Sequence, residues 1–530
     1  AVLYTDRPFR KTYSEFRDLC NTVAKGFLAM GIKKGDHVAI WATNYPEWLL
    51  TMFATAKIGA VMVTVNTNYK IFELEYLLKQ SDSTTLVMID GFKDSDYIGI
   101  VNKLYPELKD AEPGKADIEN LPFLKNIVHV GSKRQKGMFQ WEDLYKLAET
   151  VSDETLREIQ AGLDPHDVIN MQYTSGTTGF PKGVMLTHYN VLNNGLSIGD
   201  CMRFTPADKL CIPVPFFHCF GCVLAIMASV THATTMVPVE YYQPLPVMKA
   251  IQQEKCTAVH GVPTMFIGML DHPEFNNFDF SSLRTGIMAG SPCPTAIMQQ
   301  VVDKMNMQEI TIVYGLTEAS PGCTQTTTDD ALELRVSTVG RALPGVECKV
   351  VNPETGKELP PNTPGEFMAR GYNIMKGYYK MPEATAQVIT EDGWLHSGDL
   401  ASVDENGYYK ITGRIKDMII RGGENIYPKE IEEFIYTHPA VSDVQVIGVP
   451  SVAYGEEIMA WVVLKEGASV TEEELKEYVR GNMARHKVPK YIKFVQGFPV
   501  TASGKIQKYK MREQAIEELK LQDAANIETA

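Results

Sequence analysis

Between Asp36 and Gly315, short and continuously apolar runs alternate with stretches of helix length, and this alternation limits the fold more than any other feature of the chain. Runs at 37–41, 61–65, 85–89, 168–172, 210–214, 235–239, 258–262, 285–289 and 310–313 read as strands. They lack the polar–apolar alternation of a sheet with one wet face. Segments such as 46–58, 245–254 and 295–305 between them have helix length. Strands buried on both faces and connected through helices predict doubly wound α/β subdomains with parallel sheets. Such sheets bind ligands beyond the carboxyl ends of their strands, so the loops that follow a strand are where chemistry is expected.

The texture changes near residue 336. From there to about 415, short strands and turn signals (Pro344-Gly345, Pro353, Pro361, Gly365, Gly377, Asn406-Gly407) predict a small β-rich subdomain. A compact α+β unit follows, with a boundary expected at Lys416, giving an N-terminal domain of 1–415 and a small C-terminal domain of 416–530. Within the latter, Pro428 is suited to open a helix. Thr471 with Glu474 spells a capping box, and strands are expected at 444–447, 459–463 and 492–495. The stretch 110–133, with two prolines and many charges, reads as a surface insertion.

A chain of 530 residues has room for roughly three domains of ~150 residues. With 44% hydrophobic and 22% charged residues it has the balance of an ordinary globular protein. The net charge of −14 supplies no basic surplus, which argues against nucleic acid and against anionic membrane as general partners. The longest apolar run, 219–230, is too short for a transmembrane segment. Residues 1–11 carry no signal-peptide pattern, and nine scattered cysteines suit a reducing compartment. Cytoplasm is the expected location, or the mitochondrial matrix for a processed eukaryotic chain. A homodimer is admissible, and nothing in the residues selects an oligomeric state.

One strand candidate leads into Tyr173-Thr174-Ser175-Gly176-Thr177-Thr178-Gly179-Phe180-Pro181-Lys182-Gly183. Glycines let backbone N–H groups approach a ligand closely, and the hydroxyls and Lys182 add donors. The stretch therefore reads as a polyphosphate cradle. Its spacing, G-x-x-G-x-x-K-G, is not that of a Walker loop.

This loop resembles the signature of the adenylate-forming (ANL) superfamily, which includes acyl-CoA synthetases, coumarate-type ligases, firefly luciferase and peptide-synthetase adenylation domains. The family's other motifs follow in its order: Phe216-Phe217-His218, Tyr314-Gly-Leu-Thr-Glu318, Trp394-Leu-His-Ser-Gly-Asp399, Gly413-Arg-Ile-Lys-Asp417 and Pro499-Val-Thr-Ala-Ser-Gly-Lys505. The likeness spans essentially the whole chain. It is greatest to fatty acyl-CoA synthetases of the medium-chain type, through 418–428 and 503–508.

The resemblance implies ATP and CoA as substrates, Mg2+ as cofactor and a carboxylic acid, foremost a medium-chain fatty acid, as the third substrate. An aryl-CoA ligase or an enzyme loading a carrier protein is the alternative. Thr174, Ser175, Gly176, Thr177, Thr178, Gly179 and Lys182 would hold the β- and γ-phosphates, with Glu318 as the Mg2+ ligand. Gly290-Ser291-Pro292, Tyr314, Gly315 and Thr317 would line the nucleoside, Asp399 would accept from both ribose hydroxyls, and Arg414 would add a contact. Ser397 stands where threonine is commoner in the family and keeps the hydroxyl.

His218 would face the acid's carboxylate, and Cys219, Phe220 and Val223 would wall its tail. The absence of Lys or Arg between His218 and Lys249 suits an aliphatic chain. Lys505 would stabilise negative charge gathered at the α-phosphate. By the same resemblance, catalysis turns on Lys505, His218, Glu318 and Thr174, Lys416 is the hinge between two half-reactions, and Gly423 lines the pantetheine tunnel. Cys219-x-x-Cys222 is a lone pair of thiols where zinc would need four ligands, and buried apolar packing is its expected role.

Overall fold

The strand His37–Trp41 is buried at all five positions, so both faces of its sheet are covered. A computed structural model gives the architecture and describes residues 2–115, 117–118, 120–174, 181–290, 293–421, 424–451, 454–480, 482–483, 485–501 and 505–525. Around His37–Trp41, among the described residues, an eight-stranded sheet runs in the order Gly377–Tyr378, Lys182–Thr187, Val168–Thr174, Val61–Thr64, His37–Trp41, Ser83–Ile89, Asn126–Val130, Phe139–Gln140. Its strands are parallel from Val168–Thr174 onward, and the first two are antiparallel additions. A second sheet of nine strands has a parallel centre of Glu309–Gly315, Thr285–Met288, Ala258–Val259, Lys209–Ile212, Thr235–Pro238 and Val2–Leu3. Helices begin where local chemistry favours them. Thr12 and Glu15 cap Tyr13–Ala29 reciprocally, and Pro46 opens Pro46–Lys57.

The β-rich region forms a four-stranded antiparallel sheet of Val346–Val351, Gly365–Gly371, Leu395–Val403 and Tyr409–Arg414. Its chain makes one excursion, Gly377–Tyr378, which pairs with Lys182–Thr187 of the eight-stranded sheet. After the turn Ile415–Asp417 comes a further sheet. Glu424–Ile426, Ile419–Arg421, Gly455–Leu464 and Val441–Ser451 form it, with Tyr491–Phe494 parallel to Gly455–Leu464. This part has apolar clusters of its own, one around Ile431, Val446 and Val479 and one around Trp461 and Met511. The expected capping box is present: Glu474 N–H donates to Thr471 Oγ1 at 3.2 Å and Thr471 N–H to Glu474 Oε2 at 2.8 Å.

One expectation fails. The stretch 110–133 is not a surface insertion throughout, because Asn126–Val130 is a buried strand parallel to Ser83–Ile89. Ile118, Leu121 and Leu124 are also buried. The polar members of the strand hid it. Asn126 Nδ2 donates to Thr85 Oγ1 at 3.3 Å and His129 Nε2 meets Asp90 Oδ1 at 2.7 Å, which satisfies both inside the sheet.

The apolar run after His218 forms a π-helix, Phe220–Met227, buried at every position, followed by Ala228–Thr231. Among the described residues no helix is long and apolar enough to cross a membrane. The start of the π-helix presses on the chain before it: a Cβ on Gly221 would lie 2.2 Å from the Pro215 carbonyl oxygen. Gly221→Ala is therefore expected to cost ~1–3 kcal/mol in chemical denaturation. At Gly162 the nearest atom to an added Cβ is 3.5 Å away, and Gly162→Ala should stay within ~0.5 kcal/mol of the parent.

Candidate active site

At the carboxyl end of Glu309–Gly315, Tyr314 reaches the strand Leu395–Val403 of the third sheet, and Val168–Thr174 ends at the candidate phosphate loop. Thr174 and Lys182 are register partners, as are Tyr173 and Gly183, so the phosphate loop closes a β-hairpin. Ser175, Gly176, Thr177, Thr178 and Gly179 of that loop lie outside the described residues, as do Ser291, Pro292 and Gly423. Both ends of the hairpin are tied to the helix Ile71–Gln80. The Tyr173 hydroxyl donates to Gln80 Oε1, and the Tyr76 hydroxyl donates to the Pro181 carbonyl at 3.1 Å. The Lys182 ammonium stands 4.8 Å from the centre of the Tyr378 ring.

At the end of Glu309–Gly315 the chain turns sharply. A Cβ on Gly315 would be 1.7 Å from the Pro321 carbonyl oxygen, so no other residue fits there. The turn Thr317–Ala319 then presents Glu318. Its carbonyl accepts from Met375 N–H at 2.8 Å, and its Oε1 accepts from the Tyr378 hydroxyl at 2.8 Å.

Asp399 is the register partner of Arg414, and Arg414 Nε stands 3.2 Å from Asp399 Oδ1. The Tyr314 hydroxyl donates to Asp399 Oδ2 at 2.8 Å, while its ring meets Phe367 edge to face at 4.9 Å. Burial raises the Asp399 carboxyl above its ordinary pKa, opposed by the Arg414 charge and the Tyr314 hydroxyl. Ser397 keeps the role its hydroxyl permits, donating to the Phe367 carbonyl at 2.6 Å and accepting from Asp399 N–H at 3.1 Å.

His218 precedes the π-helix, and its Nδ1 accepts from Phe220 N–H at 3.2 Å. That bond leaves the proton of the neutral ring on Nε2. Burial, reinforced by the Lys505 charge, lowers the imidazole pKa to about 3, so it is uncharged at neutral pH. Cys219 Sγ lies 3.6 Å from Thr317 Oγ1 and 3.7 Å from His218 Nδ1. Gln172 Nε2 donates to Cys222 Sγ at 2.9 Å, and burial pushes both thiols up in pKa. Phe220 and Val223 are buried in the same wall. Gly290, at φ +89°, would place a Cβ 3.1 Å from Val262 and 3.9 Å from Phe220, so the candidate nucleoside turn abuts that wall. Behind it His260 accepts from Ile287 N–H at 3.2 Å and donates to the Leu224 carbonyl at 3.1 Å.

Lys505 comes from the last sheet's side of the molecule. Thr501 N–H donates to the Lys505 carbonyl at 2.8 Å and Lys505 N–H donates to Thr501 Oγ1 at 3.0 Å, two bonds that hold the lysine's backbone. Burial lowers its ammonium pKa. The Cys219, Glu318 and Asp399 sites favour the charge, and Arg414 disfavours it. Lys505, His218, Cys219, Thr317, Glu318, Tyr314, Asp399 and Arg414 thus converge. The turn Ile415–Asp417 containing Lys416 follows Arg414 directly. Gln80 and Tyr378 were not foreseen as part of the site. The Gly377-Tyr378-Tyr379 aromatic pair was the available signal, read as a turn because of its glycine.

A fold of two sheets with parallel centres and an appended α+β unit, and a convergent site of this composition, define an adenylate-forming enzyme. The chain belongs to the AMP-binding enzyme family: residues 1–379 match the AMP-binding enzyme profile and residues 430–505 the AMP-binding enzyme C-terminal domain. It is 58% identical over 517 residues to the putative acyl-CoA synthetase YngI of Bacillus subtilis, covering 98% of this chain and 94% of that one. It is 43% identical over 526 residues to the mitochondrial medium-chain acyl-CoA ligase ACSF2 of Danio rerio, covering 98% and 86%. Among solved structures, ATP-bound MatB from Rhodopseudomonas palustris superposes with a TM-score of 0.79 at 30% identity, covering 97% and 95%.

The two buried imidazoles set a pH dependence. Unfolded, each titrates near ~6.5; folded, His218 is lowered to about 3 and His260, by burial, to about 4. Between these values the unfolded chain binds more protons, so stability falls as pH drops from ~6.5 towards 4. Thermal midpoints of the parent should decline through that window. His260→Gln should show a shallower decline over the same pH range, whatever its midpoint at pH 7.5; an equal slope would contradict the assignment.

Proposed function

We propose that the protein is an ATP-dependent acyl-CoA synthetase whose acid substrate is a medium-chain fatty acid. The observation that carries this reading is the convergence of Lys505 with His218, Glu318 and Asp399 from separate parts of the chain. In the first step a carboxylate oxygen attacks the α-phosphorus of ATP, and the bond to the pyrophosphate oxygen breaks, giving acyl-AMP and pyrophosphate. The Lys505 ammonium donates to the carboxylate and to the α-phosphate oxygens where negative charge gathers. A neutral His218 offers its Nε2–H to the carboxylate without adding a second cation beside Lys505. Asp399 accepts from the ribose hydroxyls, with Tyr314 and Arg414 fixing its two oxygens. The hairpin 173–183 holds the outer phosphates.

The Glu318 carboxylate suits a divalent cation: the Tyr378 hydroxyl takes Oε1, and Oε2 receives no hydrogen bond among the described residues. Magnesium favours one or two carboxylates together with phosphate oxygens, and when bound it would offset phosphate charge. In the second step the CoA thiol attacks the acyl carbonyl and AMP leaves. Rotation at Lys416 would bring Gly423 and its neighbours to the thiol path.

Cys219, Phe220 and Val223 are buried apolar residues, which supports their assignment to the wall of an acyl pocket, and each buried methylene should add ~0.8 kcal/mol, about fourfold in kcat/KM, until the pocket ends. The ACSF2 relative is named a medium-chain ligase, which agrees with that wall. A reducing, cytoplasmic setting fits nine cysteines scattered along the chain.

Two measurements test the reading. Across straight-chain acids kcat/KM should rise from acetate to a medium-length optimum; a maximum at acetate, an aromatic acid or an amino acid would overturn the substrate assignment. With pyrophosphate release and thioester formation assayed separately, Lys505→Ala should lose ~10²–10³ in adenylation while still converting supplied acyl-AMP and CoA to thioester. Gly423→Leu should show the reverse, and equal loss of both steps in both variants would contradict the two-step division.

A further inference from the structure

The segment 375–379 holds Glu318 and the phosphate hairpin at once. Met375 N–H donates to the Glu318 carbonyl at 2.8 Å, Lys376 N–H to the Met185 carbonyl at 3.0 Å and Tyr379 N–H to the Gly183 carbonyl at 2.8 Å. Tyr378 is the register partner of Val184, and its N–H donates to Thr385 Oγ1 at 2.9 Å. From the other side Gln80 Nε2 donates to the Tyr379 carbonyl at 2.8 Å, and the Tyr379 hydroxyl donates to Asp82 Oδ2 at 2.9 Å. Tyr378 is thus a buried ring on a backbone stapled along both edges, with its hydroxyl at Glu318 Oε1 and one face toward Lys182.

We propose that Tyr378 is a positioning residue that occupies one Glu318 oxygen so that the other is aimed at the divalent cation travelling with ATP, while its ring face holds the Lys182 ammonium beside the phosphates. The proposal rests on the reading of Glu318 as metal ligand. A glutamate with three free torsions spreads its carboxylate over several rotamers, and one strong hydrogen bond to a rigid phenol selects among them. A lysine behaves similarly on its four-carbon stem, and an aromatic face attracts its ammonium. A single side chain therefore sets the separation between the cation that meets phosphate directly and the carboxylate that meets it through a metal. A buried tyrosine also seeks an acceptor for purely structural reasons, and that role predicts a different outcome.

Binding in the absence of fatty acid separates the two. Affinities for Mn·ATP, read by electron paramagnetic resonance and calorimetry, and for ATP in excess EDTA are compared among the parent, Tyr378→Phe, Tyr378→Leu and Glu318→Gln, with thermal midpoints alongside. Tyr378→Phe keeps the ring and should bind Mn·ATP ~10-fold more weakly with metal-free ATP affinity unchanged. Tyr378→Leu should also lose several-fold in metal-free ATP affinity. Should Tyr378→Leu fail to fold, Tyr378→Phe decides the proposal alone. Mn·ATP affinity in Tyr378→Phe that is unchanged or tighter, while Glu318→Gln is weakened, would overturn the role of Tyr378 and leave Glu318 as metal ligand. Parent-like Mn·ATP affinity in Glu318→Gln would instead overturn the metal-ligand reading itself. A lowered midpoint in Tyr378→Phe with equal loss of both affinities would identify a structural hydroxyl and overturn the proposal.

Discussion

Taking a lysine ammonium out of water costs several kcal/mol unless opposite charge and hydrogen-bond acceptors meet it. At Lys505 burial depresses the pKa, and the countervailing pull comes from Cys219, Glu318 and Asp399. Those three sit at the start of the π-helix, in the turn after Glu309–Gly315 and in the strand Leu395–Val403. Lys505 itself belongs to the hairpin 499–507, beyond the turn at Lys416. Among the described residues, the side-chain hydrogen bonds between residues 1–415 and the later part of the chain are modest: Thr295 N–H to Glu433 Oε2 at 3.3 Å, Ser442 Oγ to Asp271 Oδ2 at 3.0 Å and Lys429 Nζ to the Ile411 carbonyl at 3.1 Å. Hydrogen bonds of this kind can be broken and remade, as inter-domain surfaces within a chain usually allow. The lysine is therefore the contact that gives this arrangement of the two parts its chemical meaning.

The sheets explain why the partners meet. Parallel strands send all their carboxyl ends one way, and ligands collect there. Tyr173 and Tyr314 stand at the ends of strands in two different sheets, and the four-stranded sheet brings Asp399, with its register partner Arg414, to Tyr314. Glycines mark where backbone must come closer than a Cβ permits, most severely at Gly315 against Pro321. The excursion Gly377–Tyr378 couples the third sheet back to the phosphate hairpin and fixes Glu318.

Much of this was legible in the residues. The strand at 37–41 appears as His37–Trp41, and the helix at 295–305 as Thr295–Met305, because parallel strands and amphipathic helices imprint their periods on the chain. The convergent residues followed from motifs whose order was itself informative. What escaped has physical reasons. Asn126–Val130 carries polar side chains satisfied within the sheet, so it did not read as apolar. Lys182 and Gly183 were read within the phosphate loop, yet they open the strand Lys182–Thr187, which pairs antiparallel with the strand that precedes the loop. Tyr378 bonds Glu318 across 60 positions, and Gln80 bonds Tyr173 across 93 and Tyr379 across 299, and no local period announces such contacts.

The account turns on Lys505 completing a site made by the rest of the chain, and hydrogen exchange with a stable sulfamoyl analogue of a medium-chain acyl adenylate tests this most directly. On the full chain, saturating analogue should slow exchange together at 218–222, 314–318 and 395–401, and in the hairpin 499–507 that carries Lys505. Protection confined to the first three windows, with 499–507 exchanging as in the free protein, would contradict the account.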